Sequence, residues 1–184
     1  MKNRETMLLL YQSLTDLAYG KDIDLITVKE LTQHASVSRS TFYLYFSNIN
    51  EMIEQMENRL LESIPSTLEV MDETKGICLD DCHAEWIHQW FLYFERYKNG
   101  LNALLGPHGD KRFYQKIKKR LIGELNHQMN LDGFPDDTIR KYFQSIYAET
   151  FLILAMEWTQ KKYKDDLTLA SLCQIALAFR EKKD

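Results

Sequence analysis

The sequence predicts an all-α chain of about nine helices, a small helical head followed by a larger helical bundle. Three observations lead there. Only 7 Gly and 3 Pro punctuate 184 residues, too few turn signals for a many-stranded sandwich or barrel. Apolar side chains in the longer segments recur at i, i+3, i+4 and i+7, the period of a helix with one buried face. The composition, 45% hydrophobic and 27% charged, is that of a folded chain with a core.

The elements follow in order. Over residues 2–19, Met7, Leu10, Tyr11, Leu14, Leu17 and Ala18 form one apolar face, and Gly20 offers a C-terminal cap. Thr27-Val28-Lys29-Glu30 has the form of a capping box and opens a short helix over residues 27–34. Ala35-Ser36-Val37 makes a tight corner, and Ser38 caps a second short helix to about Leu44. Val28, Leu31, Ala35, Val37, Phe42 and Phe46 then close a small core with the first helix. Ser47 or Asn48 starts a fourth helix carrying Ile49, Met52, Ile53, Met56 and Leu60. Pro65 disfavours helical angles at Ile64, which sets a boundary between domains at residues 1–64 and 65–184. Beyond an irregular stretch at 66–76, helices are expected at 79–98, 111–128, 136–162 and 167–182, with loops at Asn99-Gly100, Gly106–Gly109, Asp132–Pro135 and Lys164–Asp166.

Charge alone decides little. The net charge is −4, yet residues 1–50 hold five basic and five acidic side chains, so that stretch is neutral and the whole deficit lies after Asn50. A neutral head can bind a polyanion if its cations and amides share a face, with modest long-range attraction. Three cysteines, Cys78, Cys82 and Cys173, cannot all pair within the chain and suit reduced thiols in a cytoplasm. Cys78, Cys82, His83 and His88 lie close in sequence, but C-x3-C lacks a matching second pair. Ordinary side chains are expected there, with no metal and no cofactor. No apolar run approaches the roughly 18 residues of a membrane span, and the N-terminus has no signal cleavage site.

Two short helices joined by a three-residue corner make a helix-turn-helix, whose second helix is slim enough to enter a DNA major groove. Residues 27–46 read TVKELTQHASVSRSTFYLYF. With the leading amphipathic helix and the run Val37-Ser38-Arg39-x-Thr41-Phe42-Tyr43-x-Tyr45-Phe46, the first 60 or so residues resemble the tetracycline-repressor (TetR) family of bacterial transcription regulators. The resemblance implies a recognition helix over residues 38–44. Arg39 would make a bidentate contact to a guanine edge, and Ser40 a softer base or phosphate contact. Thr27, Thr41, Tyr43 and Tyr45 match positions where the family sets hydroxyls or rings on phosphates. Without the motif, Arg39 would read as a solvated cation and the tyrosines as half-buried aromatics.

Two departures stand out. The family's corner usually has Gly where this chain has Ser36, and Gly takes positive φ without penalty. The family also usually places a Lys at the start of the fourth helix to hold a phosphate, where this chain has Ile49. That leaves only the helix N-terminus for the phosphate and implies weaker, less salt-sensitive DNA binding.

The resemblance makes the remaining chain a dimerisation and signal-sensing domain. The segment from Leu101 to Asp110, then Phe113-Tyr114-x-Lys116-Ile117, looks like a C-terminal domain type that recurs in Gram-positive bacteria. Candidate ligand-pocket residues are Trp86, Trp90, Phe94, Phe113, Met129 and Tyr147, which at helical spacing could equally be core. Candidate dimer residues are Phe143, Tyr147, Phe151, Leu169, Leu172 and Ala176, from two helices that could instead pack within one chain. The basic run at Lys111, Arg112, Lys116, Lys118, Lys119 and Arg120 reads as a solvated helix face.

No P-loop, G-x-G-x-x-G, H-E-x-x-H or G-x-S-x-G occurs, which argues against an enzyme. The expectation is a cytoplasmic homodimeric regulator, a repressor in which a signal in the bundle pivots the fourth helix and lowers affinity for a pseudo-palindromic operator. The signal is a small molecule or a protein. The alternative is a regulator acting through a protein partner, with weak or no DNA binding of its own.

Overall fold

A computed structural model describes residues 2–66, 79–160 and 169–178. Every regular element among them is helical. In chain order these are α1 (Lys2–Ala18), a 3-10 turn at Ile23–Leu25, α2 (Val28–His34), α3 (Arg39–Tyr43), α4 (Ile49–Glu62), α5 (Leu79–Arg96), α6 (Lys98–Leu105), α7 (Lys111–Leu131), α8 (Thr138–Thr159) and α9 (Leu169–Ala178). No helix among the described residues is long and apolar enough to cross a membrane.

The chain forms two compact units. The first contains residues 1–62 together with 97–115, and the second 63–96 together with 116–184. In the first, α1 turns Leu10, Leu14 and Ala18 inward, where they meet Leu31, Phe42 and Phe46 from the helix-turn-helix and Ile23 and Ile26 from the connection before it. Tyr11 and Phe46 meet edge to face at 5.7 Å, and the Arg59 guanidinium lies 5.2 Å over the Tyr11 ring. Burial pushes the Tyr11 hydroxyl above its ordinary pKa against the opposing pull of Arg59.

Helix α6 departs from the sequence reading, which treats Asn99-Gly100 as a break. Gly100 lies inside the helix, where an added Cβ would come 3.4 Å from Leu60 Cδ1 and 3.9 Å from Met56 Sδ. Those are ordinary contact distances, and the packing of α6 on α4 offsets the modest cost of glycine in a helix. Leu101, Ala103 and Leu104 are buried, and α6 packs on α1 as well as α4. The following loop closes through Asp110 N–H donating to the Leu104 carbonyl at 2.8 Å. A Cβ at Gly109 would collide with that same carbonyl. The loop is tied to the segment before α2 by Ile23 N–H donating to His108 O (2.9 Å) and by His108 Nδ1 to Asp22 Oδ1 (2.7 Å).

The second unit is built around an aromatic cluster. Trp86, Trp90 and Phe94 of α5 face Phe151 of α8 with ring centroids 5.9–6.5 Å apart, and Phe91 approaches it to 5.1 Å. Where α7 turns into α8, Arg140 is 3% exposed. Its guanidinium donates to Phe134 O (3.0 Å), Asn126 O (2.6 Å), Asn126 Oδ1 (2.7 Å) and Asn130 Oδ1 (2.7 Å). The arginine thus holds the turn by giving its carbonyls the donors that burial would otherwise deny them.

Candidate nucleic-acid interface

The candidate site begins with how two short helices are held. Each is too short to be stable alone, so its ends must be satisfied locally. At α2 the capping box forms in full. Glu30 N–H donates to Thr27 Oγ1 (3.3 Å), and Thr27 N–H donates back to Glu30 Oε2 (2.9 Å). The Thr27 hydroxyl also lies 2.7 Å from Glu30 Oε2, and Lys21 Nζ lies 2.7 Å from Glu30 Oε1. Hydrogen bonds from Lys21 and Thr27 to the carboxylate pull the Glu30 pKa down to about 2.

The corner after α2 is a Schellman arrangement. Ser36 N–H donates to Gln33 O (3.2 Å) and Val37 N–H to Thr32 O (3.0 Å). Ser36 sits at φ 54°, the left-handed region, and is the one non-glycine residue there among those described. The corner therefore needs the conformation for which the family's usual glycine is suited, and serine holds it at some cost.

At α3, Ser38 accepts the Thr41 N–H (3.0 Å), while its hydroxyl also lies 2.7 Å from the Ser40 and Thr41 hydroxyls. Phe42 is fully buried and anchors the helix. Around the rest of the helix, Arg39 and Ser40 are exposed, Tyr43 is 57% exposed and Leu44 81% exposed. Arg39 makes no ion pair within the described residues. Thr27 is exposed at the start of α2, and Thr41 and Tyr45 are half-exposed beside the α3 face. The structure thus brings all six residues singled out for DNA contact onto two neighbouring short elements.

At α4, Ile49 is 7% exposed, so the position the family gives to a phosphate-holding lysine belongs here to the core. The helix N-terminus is also occupied. Asn48 Oδ1 accepts Glu51 N–H (2.9 Å), and Glu51 Oε2 accepts Ser47 N–H (2.6 Å). Those bonds lower the Glu51 pKa. A carboxylate, not an open amide, therefore marks this end of α4.

In the second unit the proposed pocket residues Trp86, Trp90, Phe94, Met129 and Tyr147 are all buried, whereas Phe113, also buried, belongs to the first unit. Tyr147 lines a small recess of about 10 Å³ with Thr150, Phe151, Leu154 and Ala176. Such a space holds about one water. Of the candidate dimer residues, Tyr147, Phe151 and Ala176 are 2–3% exposed within the single chain and Phe143 is half-buried. The side chains of Leu169 and Leu172 lie outside the described residues. What α8 turns outward is a different stripe: Ile139 (77% exposed), Tyr142 (69%), Ile146 (65%) and Ile153 (54%). The helix is apolar on two sides, and periodicity could not assign which side faces inward. Cys78 and the side chains of Cys82 and His83 also lie outside the described residues. Along the basic run, Arg112 pairs with Asp110 (2.8 Å), Lys118 with Glu149 (2.6 Å) and Arg120 with Glu124 (2.9 Å).

Comparison with known proteins agrees with this geometry. The family model described as bacterial regulatory proteins, tetR family, matches residues 15–56, which contain α2, α3 and the corner between them. An uncharacterized HTH-type transcriptional regulator of Haemophilus influenzae is 31% identical over 85 residues, a stretch that covers 45% of this chain and 45% of that relative. Among solved structures, a TetR-like transcriptional regulator from Rhodococcus sp. RHA1 superposes with a TM-score of 0.72 at 11% identity, covering 95% of this chain and 92% of the other. A TetR transcriptional regulator from Streptococcus agalactiae gives 0.65 at 16% identity, covering 98% and 96%. The regulator FadR from Bacillus subtilis, in complex with stearoyl-CoA, gives 0.62 at 14% identity, covering 93% and 95%. These relatives are transcriptional regulators, not enzymes. Local sequence and whole-chain fold agree: residues 15–56 match the tetR family of bacterial regulatory proteins, and the chain shares its fold with solved TetR regulators.

Proposed function

We propose that the protein is a sequence-specific DNA-binding transcriptional regulator that acts as a homodimer, a repressor whose operator binding responds to a signal taken up by the second unit. The observation that carries the reading is the exposed face of α3. A helix capped at its start, anchored by Phe42 and reached through a Schellman corner presents an unpaired arginine to solvent. Arg39 reads a guanine edge, and Ser40 adds a weaker contact. Thr27, Thr41, Tyr43 and Tyr45 contact phosphates and fix register. The outward stripe of α8 supports a two-fold dimer, because large apolar side chains in a row on one helix are covered in the working assembly. Phe143 borders that stripe and belongs to the same proposed interface. Two heads so paired would read a pseudo-palindromic site.

The signal is either a small molecule taken up by the second unit or a protein partner that acts on it from outside. The deciding experiment is selection of bound sequences from a random duplex pool at moderate salt. An enriched palindrome is the expected result. A folded dimer that enriches nothing would instead support a regulator that works through a protein partner.

A further inference from the structure

Leu44 is the most exposed large apolar side chain among the described residues, at 81%, and it sits on the very helix read here as entering DNA. Its backbone continues the helix (φ −72°, ψ −21°). At about 100° per residue it therefore lies about 160° around the axis from the buried Phe42. Of the other exposed side chains of α3, Ser40 pairs with Ser38 and Tyr43 packs edge to face on Phe42 at 5.4 Å. Arg39 and Leu44 alone are left with their chemistry unspent. One is a cation with donors to offer, the other a branched alkyl group with nothing covering it.

A major groove presents donors and acceptors on every base pair but only one apolar group, the C5-methyl of thymine. We propose that Leu44 is a specificity residue that packs on a thymine methyl when α3 docks. The proposal rests on the reading of the head as a DNA-binding domain. From Arg39 to Leu44 the helix rises about 7.5 Å, within a groove about 12 Å wide, so both residues can reach base edges at once. That rise corresponds to about two base-pair steps, which puts the thymine about two positions from the guanine read by Arg39.

The test uses the full chain and the operator recovered by selection. Each thymine is replaced in turn by deoxyuridine, which removes the methyl and keeps the pairing. One position per half-site is expected to weaken wild-type binding by about three- to fivefold, the effect of withdrawing one buried methyl. Leu44→Ala and Leu44→Gln are expected to bind the thymine and uracil operators equally, at the weakened level. Both variants keep the wild-type fold, since the side chain they alter touches no core. An operator with no uracil-sensitive position, or a Leu44→Ala protein that keeps the wild-type preference for thymine, overturns the role of Leu44 and leaves DNA binding intact. A selection that recovers no operator overturns the DNA-binding reading, and this proposal with it.

Discussion

Ser36 shows at the scale of one residue how the fold is held. The Schellman corner demands a left-handed residue, and a side chain there costs about 1–2 kcal/mol relative to glycine, less where a short polar side chain bonds locally. Ser36→Gly is therefore expected to raise stability by about 1 kcal/mol in chemical denaturation with the denaturant slope unchanged, while Ser36→Val lowers it. Arg39 and Tyr45 separate the two kinds of DNA contact. Arg39→Ala is expected to cost about 1–3 kcal/mol at one operator position and to relax preference there. Tyr45→Phe should weaken binding by a similar factor on every sequence, as loss of a phosphate contact does. If both variants bind every sequence as the wild type does, α3 is not the reading helix.

At the scale of elements, the capping box of α2 makes the head's stability depend on pH. Glu30 has its pKa lowered from 4.5 to about 2 by bonds that exist only in the folded chain. Its contribution is thus complete above about pH 4.5 and lost as pH falls through about 2. Glu51 acts in the same direction at the start of α4. Thermal melting from pH 7 down to pH 2 should show Glu30→Gln less stable than wild type at neutral pH, with the gap closing in acid. A gap independent of pH would remove the carboxylate from that role. The start of α4 also bears on salt dependence. Ile49 supplies no charge, Asn48 already caps the Glu51 amide, and the Glu51 carboxylate beside this end would repel a phosphate. Ile49→Lys is expected to steepen the slope of log K against log salt by about 0.9 per half-site, together with some loss of stability because the position is buried.

At the scale of the whole molecule, the outward stripe of α8 carries the prediction about assembly. Ile146→Glu places a charge in the middle of the row Ile139, Tyr142, Ile146 and Ile153 without touching the aromatic cluster inside. Sedimentation should find this variant monomeric and folded, and its affinity for a palindromic operator should fall while that for a single half-site persists. A variant that stays dimeric would move the interface elsewhere. Arg140→Ala tests the interior of the same unit. It removes the guanidinium's bonds to Asn126, Asn130 and Phe134, with Gln144 Nε2 still donating to Asn126 Oδ1, and is expected to cost about 2–3 kcal/mol in thermal or chemical unfolding.

The sequence by itself determined the helical class and the two short capped helices with the corner between them. Those features are local: a capping box at Thr27 and Glu30, a left-handed corner at Ser36 and a cap at Ser38 are satisfied by residues three or four positions away. Tertiary structure decided what depends on residues far apart in the chain. Helix α6 runs through Asn99-Gly100 because Leu101, Ala103 and Leu104 are buried where it packs on α1 and α4, which no local pattern reveals. It also decided which apolar face of α8 is core: Tyr147 and Phe151 point at Trp86 and Trp90 while Tyr142 and Ile146 point away, although all four fall in one broad stripe of the sequence. A period of 3.6 residues records that a helix has an apolar side; when it has two, only the partners across the core choose between them.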